Sequence, residues 1–280
     1  MKRIVTLCIG ICTLMTGFAQ TDSTKAAPDT IQVGSMTIIR EKGSQPAKES
    51  HHKNAYIPHR HNDRPSNIST NWWIFDFGFS NWNDQTNPHS QAAIDFAGAA
   101  YAKNPDWAKL LSGKSRNINI WLFMQRLNMV KHVLNLKYGV GIECNNYFYD
   151  DVRVRYTKNP TTVVLDSNLT SAKKNKLAVD YLTVPLMLNF NFTPGKRQRT
   201  LGFSVGVSAG YLYSARQKTK TDGQVSKTHS DYDIERWKIS YVGEILLGPV
   251  KFYGSYAFKN MWEKGLDQTP YTVGFRLSTW

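Results

Sequence analysis

The side chains that could do chemistry are charged residues on segments in which polar and apolar positions alternate. Nine are assigned to the polar face: Asp76, Lys137, Glu143, Asp180, Lys238, Glu244, Lys251, Lys259 and Arg276. Five basic and four acidic groups on one surface could line a charged pore or a proton path. They could also interlock as ion pairs, because a buried charge is costly unless it is paired. The near balance of sign favours the paired network.

Carboxylates on a shared surface also raise the possibility of hydrolysis. A nucleophile of that kind needs a neighbouring histidine that a third group orients. His132 lies in a short turn, whereas His89 and His229 are isolated in long connections. The sequence contains no phosphate-binding glycine loop, CxxC pair or HExxH motif. We therefore assign no catalytic, cofactor-binding or metal-binding residue, and we predict neither enzyme activity nor a cofactor.

Four histidines cluster near the N-terminus, at His51, His52, His59 and His61. Such spacing could hold zinc or copper. The segment lacks cysteine and paired acids, however, and its composition is typical of a flexible chain. These features favour a solvated polar tail.

The chain is strongly basic, with 35 Lys and Arg against 21 Asp and Glu and a net charge of +14. Binding to nucleic acid is the usual inference, but the basic start and the apolar run over residues 4–18 are typical of a signal peptide, and an exported protein rarely meets nucleic acid. Basic residues at the rims of a membrane protein instead lie near anionic headgroups. The residues expected there are Lys158, Lys173, Lys174, Lys176, Arg216, Lys218 and Lys220.

The first residues have the composition of a secretory signal peptide. A basic start and an apolar run over residues 4–18 precede Ala19, a small residue suited to a cleavage site. We predict a signal peptide over residues 1–19. Two of the three cysteines lie within it, so the mature chain would keep only Cys144 and form no internal disulfide.

From Trp72 onward the sequence alternates with period two. One face of a segment holds Leu134, Leu136, Tyr138, Val140, Ile142 and Cys144. Its other face holds Asn135, Lys137, Gly139, Gly141, Glu143 and Asn145. A helix would scatter these residues around its circumference, so the alternation indicates strands.

Eight such strands are predicted, near 72–82, 116–128, 131–149, 177–193, 200–214, 236–247, 249–259 and 270–280. Most have 11 or more residues, enough to cross a membrane when tilted. Short turns alternate with long polar connections over about 83–115, 150–176, 215–235 and 260–269. This is the pattern of a barrel with tight turns at one rim and loops at the other. An even strand number places both termini at the short-turn, periplasmic rim.

Aromatic and glycine positions agree with a membrane barrel. Candidates for interfacial girdles are Trp72, Trp73, Trp82, Tyr147, Tyr149, Tyr211, Tyr213, Trp237 and Trp262. Glycines on the presumed inner face are Gly78, Gly139, Gly141, Gly202, Gly206 and Gly210. A soluble eight-stranded barrel of lipocalin type alternates equally well, but with its faces inverted. Strand length, loop alternation and girdles favour the membrane barrel.

The segments Tyr181–Leu188 and Gly206–Tyr213 closely resemble strands of the PorT-like outer-membrane β-barrel family of Bacteroidetes. Lys137–Glu143 and Tyr271–Phe275 are similar to that family as well, and the resemblance covers roughly residues 70–280. It implies an outer-membrane location and an up-and-down barrel. Some relatives belong to protein-secretion machinery, and no functional residue carries over from the family.

The end of the last strand departs from the usual pattern of outer-membrane barrels. Tyr271, Val273, Phe275 and Leu277 share its apolar face, whereas Trp280 is out of phase with them. Either a bulge shifts the register or Trp280 lies in the interface beyond the strand.

Together these features predict an all-β fold, a transmembrane up-and-down antiparallel β-barrel of eight strands with a disordered N-terminal tail. The expected division is a signal peptide over 1–19, a flexible polar periplasmic tail over 20–70 and an outer-membrane barrel over 71–280. We expect a non-enzymatic structural or interaction protein that acts through extracellular loops and the tail. The alternatives are a subunit of an export or secretion assembly and, less favoured, a lipid-modifying barrel enzyme.

The expected partners follow from that location. They are outer-membrane lipid and lipopolysaccharide, the barrel-insertion machinery and a periplasmic or secretion-system protein, with no nucleic acid. Both termini are expected in the periplasm.

Overall fold

The computed structural model of the chain describes residues 30–33, 36–39, 66–103, 105–194, 200–248 and 250–278. The chain divides into two units, Met1–Arg60 and His61–Trp280. The predicted signal peptide, the histidine cluster over 51–61 and Trp280 lie outside the described residues. Within the described part, no helix is both long and apolar enough to span a bilayer.

The first unit contains a short antiparallel hairpin. Strand β1 (Thr30–Val33) pairs with β2 (Met36–Ile39), with Thr30 opposite Ile39. The sequence analysis assigns this stretch to the flexible tail, and the hairpin is therefore a feature that it did not predict. Each strand has only 4 residues, too few for the period-two test that identified the longer strands.

The second unit contains the remaining elements. In chain order the strands are β3 (Ile68–Asp84), β4 (Arg116–Val130), β5 (Leu134–Phe148), β6 (Val154–Tyr156), β7 (Val163–Leu165), β8 (Lys174–Asn191), β9 (Leu201–Thr221), β10 (Gln224–His229), β11 (Trp237–Leu247), β12 (Val250–Ala257) and β13 (Gln268–Leu277). Helix α1 (Gln91–Lys103) and the 3₁₀ turns Pro105–Ala108 and Ser167–Leu169 lie in the connections.

Eight long antiparallel strands form a closed ring. The order is β9-β11-β12-β13-β3-β4-β5-β8, and β8 pairs again with β9. All eight predicted strands are present, so the predicted fold class is confirmed. Their ends differ from the prediction mainly at β3 and β9. Strand β3 begins at Ile68, and β9 continues to Thr221 because its last residues pair with β10 beyond the ring.

Strand alternation places small and polar side chains inside and apolar side chains outside. Adjacent residues on β9 illustrate the phase, since Val207 is 41% exposed and Ser208 is 5% exposed. Glycines make room on the inner face. A Cβ at Gly141 would lie 2.6 Å from the carbonyl oxygen of Ile120 and 2.7 Å from the Trp121 ring.

Two irregularities adjust this phase. At the start of β3, Trp73 adopts a φ of 54°, and both Trp73 and the opposite residue Leu122 are skipped in the pairing with β4, so Trp72 and Trp73 are both exposed. In the β8–β9 pair the register shifts opposite Asp180 and Tyr181, where Tyr213 is skipped. The register of β4 with β5 also shifts at Leu122. Leu122 and Tyr213 therefore have the features of β-bulges, in which one extra residue re-aims the side chains that follow.

The long connections are more structured than predicted. The sequence analysis treats them as polar loops, yet they contain α1, the β6–β7 hairpin, β10 and both 3₁₀ turns. At the loop-bearing end of the ring, α1 packs against β7 and the Pro105–Ala108 turn, whereas β10 pairs with β9 and is exposed.

Candidate functional site: a filled lumen, a cap and a basic rim

The centre of the lumen is an Asp76–Arg276 pair on the neighbouring strands β3 and β13. The Arg276 guanidinium donates to both carboxylate oxygens, from Nε to Oδ1 at 2.7 Å and from Nη2 to Oδ2 at 2.6 Å. Asp76 Oδ2 also accepts from Trp121 Nε1 at 2.7 Å and from Asn119 Nδ2 at 3.2 Å. Two-pronged pairing of this kind fixes the planes of both groups.

Glu244 joins this pair to the opposite wall. Its carboxylate forms ion pairs with Arg276 and with Lys137, and it accepts from Ser204 Oγ at 3.3 Å. All of these side chains are buried in the lumen. The Glu244 carboxylate of β11 therefore links strands β5, β9 and β13 across the lumen.

A second ion pair, Glu143–Lys238, lies among amide and hydroxyl donors. Glu143 Oε1 accepts from Asn145 Nδ2 at 2.9 Å, and Oε2 accepts from Thr183 Oγ1 at 3.4 Å. Asn117 connects this pair to the first group, because its Nδ2 donates to both Asn119 and Asn145 at 2.9 Å. These six interior charges therefore form one hydrogen-bonded network, while the buried Lys251 donates to Ser278.

The network is balanced in charge and leaves little free space. Its acids are Asp76, Glu143 and Glu244, and its bases are Lys137, Lys238 and Arg276. The cavity among these side chains measures about 30 Å³, which is room for one or two water molecules. The paired network, rather than an open charged pore, is what the structure shows.

Two of the nine predicted inward charges do not lie in the lumen. Asp180 shares the outer face of the wall with Cys144, its cross-strand partner, and forms an ion pair with Arg216. Its phase is that of Leu182 on the same strand, whose side chain is exposed on the outer wall. Lys259 is exposed because β12 ends at Ala257. Lys251 is inward and buried as predicted.

Aromatic side chains close the loop-bearing end of the lumen. Phe96 of α1 packs on Trp262 with ring centroids 5.1 Å apart, and Tyr156 of β6 lies 5.2 Å from Trp262. Trp107 is fully buried in the same cluster. We call this cluster, with the loop segments that supply it, the cap. Four distant loop segments thus meet in one apolar core above the charged network.

The cap corrects part of the predicted aromatic girdle. Trp82, Tyr147, Tyr149 and Trp262 are buried in the cap cluster and do not face the membrane. Tyr147 and Tyr149 continue the inward phase of Asn145, and Trp82 continues that of Ser80, a signal already present in the sequence. The outward girdle residues that the structure supports are Trp72, Trp73, Tyr211, Tyr213 and Trp237.

Polar groups inside the cap bond to one another. The hydroxyls of Tyr149 and Tyr156 lie 2.6 Å apart, and Gln217 Nε2 donates to the carbonyl of Val154 at 2.8 Å. Burial raises the pKa of Tyr156 above its usual range, and the pKa of Tyr149 rises for the same reason. Both phenols therefore stay protonated at physiological pH, and one hydroxyl donates its hydrogen bond to the other.

A row of basic residues lies on the outer wall at the same end. It consists of Lys174, Lys176, Arg216, Lys218 and Lys220, which we call the rim ladder. In the β8–β9 register Lys174 is opposite Lys220 and Lys176 is opposite Lys218. Like charges in directly opposed positions destabilise a sheet, so packing does not explain the ladder. All five are among the residues predicted for the rim.

Comparison with solved structures found Ail, the attachment invasion locus protein of Yersinia pestis, determined in complex with the heparin analogue sucrose octasulfate. It is 10% identical to this chain with a TM-score of 0.30, and the match covers 74% of this chain and 98% of Ail. No curated protein matched the sequence.

The sequence profile of the outer membrane protein beta-barrel domain matches residues 117–261, a segment that runs from β4 through the cap residue Met261. The outer-membrane location of this family agrees with the apolar outer wall and the outward aromatic residues of the ring. The chain belongs to the outer membrane protein beta-barrel domain family.

Proposed function

We propose that this protein is a non-enzymatic interaction protein of the outer membrane, a sealed barrel that holds a folded cap and a basic rim at the cell surface. The observation that carries the proposal is the closure of the lumen. Charged side chains fill its middle around a cavity of about 30 Å³, and the aromatic cap covers its loop-bearing end.

The same observation argues against transport. A pore needs a continuous path for water, whereas eight strands leave an interior just wide enough for side chains. The six charged groups of the network pair with one another, which leaves them poorly suited to pass an ion or a proton. The non-enzymatic role rests on the same pairing, because an acid or base held in a buried ion pair is not free to act on a substrate.

The orientation and the subgroup are parts of this proposal. The first ring strand starts and the last one ends at the rim of short turns, with Phe75 opposite Leu277 in the register. Short turns are periplasmic in barrels of this kind, which supports a periplasmic tail and an extracellular cap. Membership of the PorT-like subgroup of Bacteroidetes belongs here too, on the sequence resemblance alone.

A planar-bilayer recording tests the proposal. The purified protein should give no stable, uniform current steps under conditions in which a known porin does. Reproducible single-channel steps would refute the sealed lumen and with it the interaction role proposed here.

Surface exposure is tested separately. An epitope inserted at the Asp222–Gly223 turn of the β9–β10 hairpin should bind antibody on intact cells. Labelling only after the outer membrane is opened would place the cap in the periplasm and contradict the orientation.

A further inference from the structure

The outer wall carries a basic pocket beside the rim ladder. The pocket has a volume of about 500 Å³, and strands β4, β5 and β8 form its floor. We call it the rim pocket, and the side chains that matter are Lys114, Arg116, Phe148, Lys173, Lys174 and Lys176. It lies outside the ring, because Arg116, Phe148 and Lys176 have the outward phase of their strands.

The lining of the rim pocket has five cationic side chains and no carboxylate. Three acids of β8 and the connection before it already have arginine partners: Asp151 bonds Arg153 at 2.7 Å, Asp166 bonds Arg155 at 2.9 Å, and Asp180 pairs with Arg216. The lysines of the pocket are therefore left without carboxylate partners among the described residues. A positive pocket without internal compensation attracts an external anion.

The pocket brings its charges together. The ammonium groups of Lys174 and Lys176 lie 4.9 and 5.3 Å from the centre of the same Phe148 ring. Lys176 also donates to Asn146 Oδ1, which fixes its side chain. Lys218 and Lys220 stand directly across the strand pair and add to the potential. Two ammoniums on one ring, flanked by a guanidinium, suit the several oxygens of a phosphate group.

The position of the pocket identifies the source of the phosphate. Further along β8, beyond Ala178 and the Asp180–Arg216 pair, Leu182, Val184 and Leu186 are about half exposed and form the apolar wall that faces lipid. An anion in the pocket would therefore lie at headgroup level with acyl chains against that wall. We propose that the rim pocket binds a phosphate group of lipopolysaccharide in the outer leaflet. This deepens the proposed function, since it rests on the cap end facing outward.

The test uses the purified full-length protein in detergent, titrated calorimetrically with detergent-dispersed rough-type lipopolysaccharide. The test variant is Lys174→Gln/Lys176→Gln, and the matched control is Lys259→Gln/Lys264→Gln, which removes the same charge from exposed loop positions outside the pocket. A basic residue near an anionic surface contributes about fivefold to binding. We expect the test variant to bind about 25-fold more weakly and the control variant to bind within about twofold of the parent.

Two further ligands identify what is recognised. Dephosphorylated lipopolysaccharide should bind the parent protein no more tightly than it binds the test variant. Inorganic pyrophosphate should bind the parent protein far more weakly than intact lipopolysaccharide does. Equal binding of both variants, or undiminished binding of dephosphorylated lipid, would overturn the proposal. Pyrophosphate binding as tight as that of the lipid would overturn the lipid as its source. Because this assay needs neither orientation nor conductance, its failure is distinct from failure of the proposed function.

Discussion

Removing one charge of the buried Glu143–Lys238 pair should destabilise the barrel more than removing both charges. Each residue is less than a tenth exposed, and each would remain in the lumen after its partner is replaced. A buried charge that loses its partner costs about 3–5 kcal/mol, whereas replacing the pair by neutral groups is often close to neutral. The comparison therefore measures pairing rather than packing alone.

The structure sets the size of each effect. With Lys238→Met, the Glu143 carboxylate keeps two donors, Asn145 and Thr183, so we expect a loss of about 3 kcal/mol, the lower end of the range. The methionine keeps an aliphatic contact with Tyr181, whose ring centre lies 5.4 Å from the lysine ammonium. With Glu143→Gln the ammonium faces only an amide oxygen, and we expect a similar loss of about 3 kcal/mol.

The double variant should lose only about 1.5 kcal/mol, because glutamine at position 143 can still accept from Asn145 and no buried charge remains. The measurement is urea unfolding of the refolded barrel in lipid vesicles, followed by tryptophan fluorescence and heat-modifiable gel migration. Lys227→Met on the exposed β10 is the matched control and should change stability by less than about 0.5 kcal/mol. Additive losses of about 6 kcal/mol in the double variant would refute the paired network.

Four further predictions concern the wall, the glycines, the cap and the tail. Val207→Lys faces lipid and should cost about 2–4 kcal/mol in vesicle unfolding, varying with lipid thickness, whereas Ser208→Lys should crowd the lumen and destabilise equally in thick and thin bilayers. Gly141→Val should prevent assembly, because even a Cβ would lie 2.6 Å from a neighbouring carbonyl, while Gly113→Val, which has no atom within 4 Å of its Cβ position, should assemble normally on heat-modifiable gels. Trp107→Ala should cost about 3–5 kcal/mol in cap stability and expose the loops to protease while the ring stays intact; unchanged proteolysis would contradict the cap. Deleting residues 21–67 should leave heat-modifiable migration unchanged, since β3 starts at Ile68; loss of assembly would show that the tail is part of the fold.

The sequence predicts the ring because each strand carries its own signal. On β5 the alternation of Leu136, Lys137, Tyr138 and Gly139 already separates lipid face from lumen, and neighbouring strands only have to match it. The predicted positions of the strand ends were less accurate where the chain leaves the membrane. The Lys259 assignment failed for that reason, because the alternation persists by two residues beyond the end of β12 at Ala257.

The cap could not be predicted in the same way. Its core joins Phe96, Trp107, Tyr156 and Trp262, which come from three separate connections that meet only when the ring brings their ends together. No local period in the sequence marks such contacts. Because these aromatic residues have polar neighbours in the sequence, their burial was not predicted. The inward phase of Tyr147 was readable, however, and the girdle assignment ignored it. The rim pocket was predicted only in part. The sequence indicated that its lysines lie at the rim, but not that Lys174 and Lys176 converge on Phe148.

The distribution of charge separates what holds this barrel together from what it offers to a partner. The lumen network contains three acids and three bases and is neutral, whereas the whole chain carries +14. The excess positive charge must therefore lie outside this network, and the rim ladder and rim pocket hold a substantial part of it in opposed positions that cost stability. Balanced charge within this network serves assembly, because it lowers the cost of burial. Unbalanced charge at the rim has no such use within the fold, which supports the proposal that an anionic surface meets it.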